Sequence, residues 1–171
     1  MNLSNRVIVF VIVFVVLSAV LAYFASTVTM SQSEAQSINS QVRGIEPTTL
    51  GIFTNNFRIA LVEFIPVFGP AFGVYTSYST GVAITAIAQA NPQSHLTGFE
   101  SFLLLLLTPI YWLEFFSYSV AVEESIAVLV SIKNRDFLNM EWKWLVASIL
   151  VVGAVLLISA NLEATLVGAL K

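Results

Sequence analysis

The sequence predicts an all-α fold: a polytopic transmembrane helical bundle of about five spans, with a short Pro-broken or re-entrant helix. Three observations predict it. Of the 171 residues, 57% are hydrophobic and only 10% charged, far below the roughly 25% charged residues of soluble proteins. The mean hydropathy is +0.87. Apolar runs near 20 residues, the length that crosses about 30 Å of hydrocarbon, recur between short polar breaks, and Pro109 divides the one run that is too long for a single crossing.

The first run, Val7 to Thr27, follows Arg6 and forms an N-terminal transmembrane anchor within residues 1–28. It exceeds the about 7 to 15 apolar residues of a cleavable signal, so a retained anchor is expected. Its Val-rich composition is no obstacle to a helix in lipid, where every backbone group must be paired within the segment. Residues 29–49 (TMSQSEAQSINSQVRGIEPTT) are rich in Ser and Gln and read as an exposed polar linker, with Thr48 and Thr49 available to cap the next helix.

Residues 50–171 form the helical bundle proper. Leu50 to Val67 is the second span, interrupted by Asn55, Asn56, Arg58 and Glu63, and Pro66, Gly69 and Pro70 force a turn after it. Ala71 to Ala90 is the third. Asn91 to Gly98 is a short polar loop. Phe99 to Thr108 is then a short helix, re-entrant or entering at the interface, and Pro109 to Ile132 is the fourth full span. Lys133 to Lys143 is a charged loop, and Trp144 to Leu170 is the last span.

Basic residues favour the cytoplasmic side. Five crossings with the N-terminus in the cytoplasm place Arg6, Lys133, Arg135 and Lys143 inside, against Arg43 and Lys171 outside. Trp142 and Trp144 stand where interfacial aromatics are expected. The chain is therefore read as a multi-pass protein of the cell membrane.

Charge excludes some partners and composition some chemistries. Lys and Arg number 7 against 10 Asp and Glu, a formal net charge of −3, so no basic surplus exists for nucleic acid. With no Cys and one His, thiolate catalysis, disulfides and multi-His metal sites lose their ligands, and no cofactor or metal is expected. His95, in a polar loop, reads as a solvent-exposed side chain. Phosphate-loop, dinucleotide, zincin and nucleophile-elbow motifs are absent, and the chain carries no enzyme signature.

The candidate functional residues are polar groups inside apolar spans. Arg58 lies about 12 Å into the second span by helical rise, a position that costs about 2.5–3.5 kcal/mol unless it is paired or faces a cavity. Glu63 lies roughly 140° round the same helix, a poor partner, so Glu114 on the fourth span is the expected counter-charge. Glu114, Tyr118, Ala121 and Ser125 share a face, with Glu124 about 80° aside. Asn56, Arg58, Glu63, Glu114 and Glu124 thus form an expected intramembrane polar network, read as a register-fixing ion pair, a partner-binding site, or a proton or cation relay through Glu63, Glu114 and Glu124, with Glu124 alternatively placed near the inner interface.

Gly69, Gly73, Ser77, Gly81 and Thr85 recur every four residues as a stripe of small residues that lets backbones approach, inside the bundle or at a self-association surface. Ala160, Ala164 and Gly168 repeat the device in the last span. Pro109 joins these packing positions as the break before the fourth span.

Phe53, Asn56, Arg58 and Ala60, the segment YSTGVAITAIA around Gly81, and Pro109 followed by Glu114 in PIYWLEFFSYSVA resemble the stage II sporulation protein M family of integral membrane proteins. The resemblance covers roughly residues 50–132. Thr80 stands where that family has the Asn before its Gly, and Ile110 and Tyr111 replace the His and Gly of its Pro-His-Gly-x-x-Glu motif. The resemblance implies a polytopic, non-catalytic membrane component, with Asn56, Gly81, Pro109 and Glu114 at core positions. In spore-forming bacteria members of that family recruit partners that degrade peptidoglycan, and the family also occurs in organisms without spores.

The expected function is that of a scaffold or accessory subunit in a larger membrane or envelope assembly, its partners being the bilayer, other membrane subunits or a second copy of itself. The alternatives are a structural subunit of a membrane respiratory or substrate-oxidising complex, and a small ion or proton-coupled transporter using the buried Glu residues.

Overall fold

A computed structural model of the chain describes residues 3–91, 95–134 and 142–169. Among them the protein is all-α, with seven helices: α1 (Leu3–Ser26), α2 (Gln32–Arg43), α3 (Thr49–Glu63), α4 (Phe68–Ala90), α5 (Gly98–Leu106), α6 (Pro109–Asn134) and α7 (Trp142–Ala169). Three of these, α1 from Asn5, α6 and α7, are long and apolar enough to cross a membrane. The 15 residues of α3 span only about 22 Å. Most of the charged loop expected between Lys133 and Lys143, residues 135–141, lies outside the described residues, as do 92–94 of the polar loop after α4.

Side-chain contacts fix the helix directions. Ser77 donates to Ser18 Oγ at 2.9 Å and Thr85 donates to the Ser26 carbonyl at 3.0 Å, both across the same interval of 59 residues. Hence α1 and α4 run parallel and in register. Ser159 meets Ile110 O while Ser148 donates to Glu124, so α6 and α7 are antiparallel. Thr49 reaches Asn161, and Phe57 lies on Gly153, so α3 and α7 are antiparallel too. Gly69 sits by Ser125 and Gly73 by Val122, which sets α4 against α6. Consequently α1, α4 and α7 point one way, and α3 and α6 the other.

The small residues of α4 make the closest approaches. Gly69, Gly73, Ser77, Gly81 and Thr85 are all buried. A Cβ on Gly81 would strike the Ala22 carbonyl and Ala25, and one on Gly73 would strike Val122 and Phe14. Hydroxyls on this face are paired: Ser77 also bonds Gly73 O at 2.7 Å and Thr85 bonds Gly81 O at 3.1 Å, so they add polarity without unsatisfied groups. Gly168 differs, with nothing within 4 Å of the place its Cβ would occupy. The small-residue device expected in the last span is therefore buried at Ala160 but does not extend to Gly168.

Bulky side chains fill the centre. Phe102, Tyr111, Phe115 and Tyr118 form a run of ring contacts in which Tyr111 and Phe115 stack at 4.4 Å. Val152 and Leu156 of α7 close the core. Pro109 opens α6, where a missing N–H costs no hydrogen bond, and separates it from the short α5. The first span, α1, turns Ile8, Val9, Ile12 and Val16 outward and presents Ser18, Ala22 and Ala25 to the interior.

Two features depart from the sequence expectation. The segment read as an exposed linker contains α2, started by a reciprocal cap: Ser31 Oγ accepts from the Glu34 N–H, and the Glu34 carboxylate accepts from the Ser31 N–H at 2.8 Å. Its one buried residue, Ala35, marks the side on which α2 packs along α4, the only helix it touches among the described residues. The turn between α3 and α4 places exposed Val67 at φ 71° and ψ −46°, near the strained γ-turn geometry that β-branched residues avoid.

Candidate functional site

The site begins with the rotation of α3. Ile52, Asn56, Ala60 and Glu63 recur at helical spacing and are its buried residues. Asn56 therefore points inward. Its Nδ2 donates to Glu114 Oε1 at 2.6 Å, and Asn55 Nδ2 donates to Asn56 Oδ1 at 3.1 Å. From α7, Ser159 Oγ reaches the same Glu114 oxygen at 3.5 Å. One carboxylate thus receives side chains from α3 and α7, two of the helices packed beside α6.

Arg58 does not join this group. Two residues after Asn56 it lies roughly 200° further round the helix, so the rotation that buries Asn56 turns Arg58 outward, where it is exposed. The expected pairing of Arg58 with Glu114 is corrected on that ground: an amide, not a guanidinium, meets the carboxylate.

The other expected network residues occupy separate places. Glu63 is fully buried, and among the described residues neither of its oxygens has a hydrogen-bond partner. The neighbouring Thr76 hydroxyl gives its proton to Phe72 O at 2.9 Å. Glu124 is buried further along α6 and accepts from Ser148 of α7 at 3.1 Å. Tyr118 lies within electrostatic range of Glu114, Glu63 and Glu163, one turn along α6 from the Asn56 contact.

Asn56 and Glu114 also form the floor of an open cleft. A cavity of about 720 Å³ is lined by Val42 and Arg43 of α2, Asn55 and Asn56 of α3, Glu114 of α6 and Glu163 of α7. A second cavity of about 370 Å³ adjoins it through Asn56 and Glu114 and extends to Thr76, Thr80 and Tyr118. The amphipathic α2 covers both. Its first turn is held by the Ser31 hydroxyl and then the Ser31 N–H, which keep the Glu34 carboxyl below its ordinary value.

Glu163, Ser159 and Arg43 are site residues that sequence reasoning missed. Glu163 was legible as an ionisable side chain within an apolar run, and Asn161 beside it strengthened the signal. Arg43 was hidden because its segment read as linker. His95, at the far side of α4, is exposed, and no cluster of three metal-ligand-type residues occurs among the described residues.

Compared with models of protein families, with curated proteins and with solved structures, the chain shows no match. Fold and site together define the class: an α-helical membrane protein with a carboxylate-bearing cleft roofed by an amphipathic helix.

Proposed function

We propose that the protein is a five-pass scaffold or accessory subunit of a membrane assembly, with its N-terminus in the cytoplasm. The observation that carries this reading is the use of polar side chains as clasps between helices. Asn56 and Ser159 meet on Glu114, Thr49 meets Asn161, Ser148 meets Glu124, and Ser77 meets Ser18. Such bonds, worth about 1 kcal/mol each in membranes, hold helices in one arrangement. A rigid frame with broad apolar outer faces on α1 and α7 suits a partner-bearing role.

The alternating helix directions support five passes: α3 and α4, too short or too polar to stand alone, complete the bundle as an inner hairpin. The stage II sporulation protein M resemblance is kept as part of this proposal. Asn56 and Glu114, two of its core positions, share a hydrogen bond, and Gly81 makes the closest backbone approach to α1.

Purification from native membranes in mild detergent, followed by mass spectrometry, tests the reading. Stoichiometric membrane partners are the expected result. Recovery of the chain alone, at native expression, overturns the subunit assignment.

A further inference from the structure

The cleft under α2 holds more charge than the bundle's own contacts use. Arg43, Glu114 and Glu163 all line it, and no ion pair joins Arg43 to either carboxylate among the described residues. Among the described residues, both hydrogen bonds to Glu114 fall on Oε1, none reaches Oε2, and Glu163 accepts none. Ionisable groups without an ion-pair partner at a partly desolvated site gain most from a complementary charge brought to them, and a ligand can supply it. A volume of about 720 Å³ falls within the range of small-molecule sites.

The pattern of signs describes that ligand. Two carboxylates, with Glu163 about one helical turn along α7 from the residue that touches Glu114, offer acceptors to an ammonium group. Arg43, exposed at the rim, offers a planar fork to a carboxylate or phosphate. No aromatic side chain lines this cavity, so the cage that favours quaternary ammonium is missing and a hydrogen-bonding primary ammonium fits better. We infer that the cleft binds a small zwitterion, a primary ammonium joined to a carboxylate or phosphate, with the ammonium between Glu114 and Glu163 and the anion on Arg43. Arg43 engages the anion from α2, which already lies over the cleft and among the described residues packs on α4. The inference stands on the cleft and is independent of the subunit reading.

Two sources share this chemistry: a free amino-acid-like solute and the headgroup of an ethanolamine phospholipid. The full chain in phosphatidylglycerol nanodiscs is titrated with L-alanine, O-phosphoethanolamine and glycine betaine while its melting temperature is recorded. In parallel, discs containing phosphatidylethanolamine or phosphatidylcholine are compared by melting and by native mass spectrometry of retained lipid. A rise with a primary ammonium, and little with its quaternary counterpart, is expected. Arg43→Gln and Glu163→Gln should each weaken the apparent Kd at least tenfold, Arg43→Lys less, and Arg58→Gln, outside the cleft, not at all. A response confined to soluble probes assigns a solute, and one confined to phosphatidylethanolamine assigns the lipid headgroup. Silence from every probe, equal response to quaternary ammonium, or binding untouched by both cleft variants overturns the site. Partner co-purification is unaffected by any of these outcomes.

Discussion

Asn56 and Arg58 stand two residues apart on α3 and have opposite fates. The amide meets Glu114 at 2.6 Å, while the guanidinium is exposed. Asn56→Ala should therefore lower stability by about 1–2 kcal/mol in detergent-titration unfolding, and Arg58→Gln by less than about 0.5 kcal/mol. Equal losses would refute the assignment. The sequence marked both residues as intramembrane polar groups, but not which one faces inward; that depends on helix rotation, set by Ile52, Ala60 and Glu63 together. Val67 carries a second prediction. At φ 71° its side chain is strained, and Val67→Gly should raise stability by about 1 kcal/mol, the relief being partly offset by the freer unfolded chain. A lower melting temperature for that variant would show that the exposed valine stabilises the turn in another way.

The helices differ in how openly their sequences announce them. Lipid excludes unpaired backbone, so the apolar runs of α1, α6 and α7 were legible from composition, and the four-residue repeat of small residues marked the packed face of α4. Gly81→Val should cost about 1–3 kcal/mol because its side chain meets the Ala22 carbonyl, whereas Gly168→Ala should cost nothing measurable. Thermal denaturation of the pair separates close packing from mere helix propensity. The helix α2 escaped notice because Ser and Gln dominate it, although Ser31 and Glu34 carry the spacing of a capping box. Since capping depresses the Glu34 carboxyl, the cap acts fully above the ordinary carboxylate value and is lost as pH falls through the lower folded value. Hydrogen exchange over residues 32–43, corrected for intrinsic rates, should lose protection in that acidic window. Glu34→Gln should flatten the dependence; an unchanged profile would assign it to another group.

The proposed five passes, alternating in direction along the chain, place the C-terminal ends of α4 and α6 on opposite membrane faces. The chain holds no cysteine, so single introduced thiols report on sidedness directly. His95→Cys should react with an impermeant maleimide from outside the cell and Asn134→Cys only after permeabilisation. Labelling of both from one side would refute the five-pass arrangement. Basic-residue placement is what predicts this orientation, whereas the sharing of one cavity by Glu114 and Glu163 was not legible, because it requires α6 and α7 to be placed together. The parallel pairing of α1 with α4 has a further consequence, in time. Contacts such as Ser18 with Ser77 span 59 residues, and ribosomes add about 5–20 residues per second, so the inner edge of α1 waits about 3–12 s for its partner to be made. During that interval the hydroxyls and close-packing surface of the first helix face lipid or the insertion machinery. A nascent chain arrested before Gly73 emerges would be the natural substrate of a membrane chaperone.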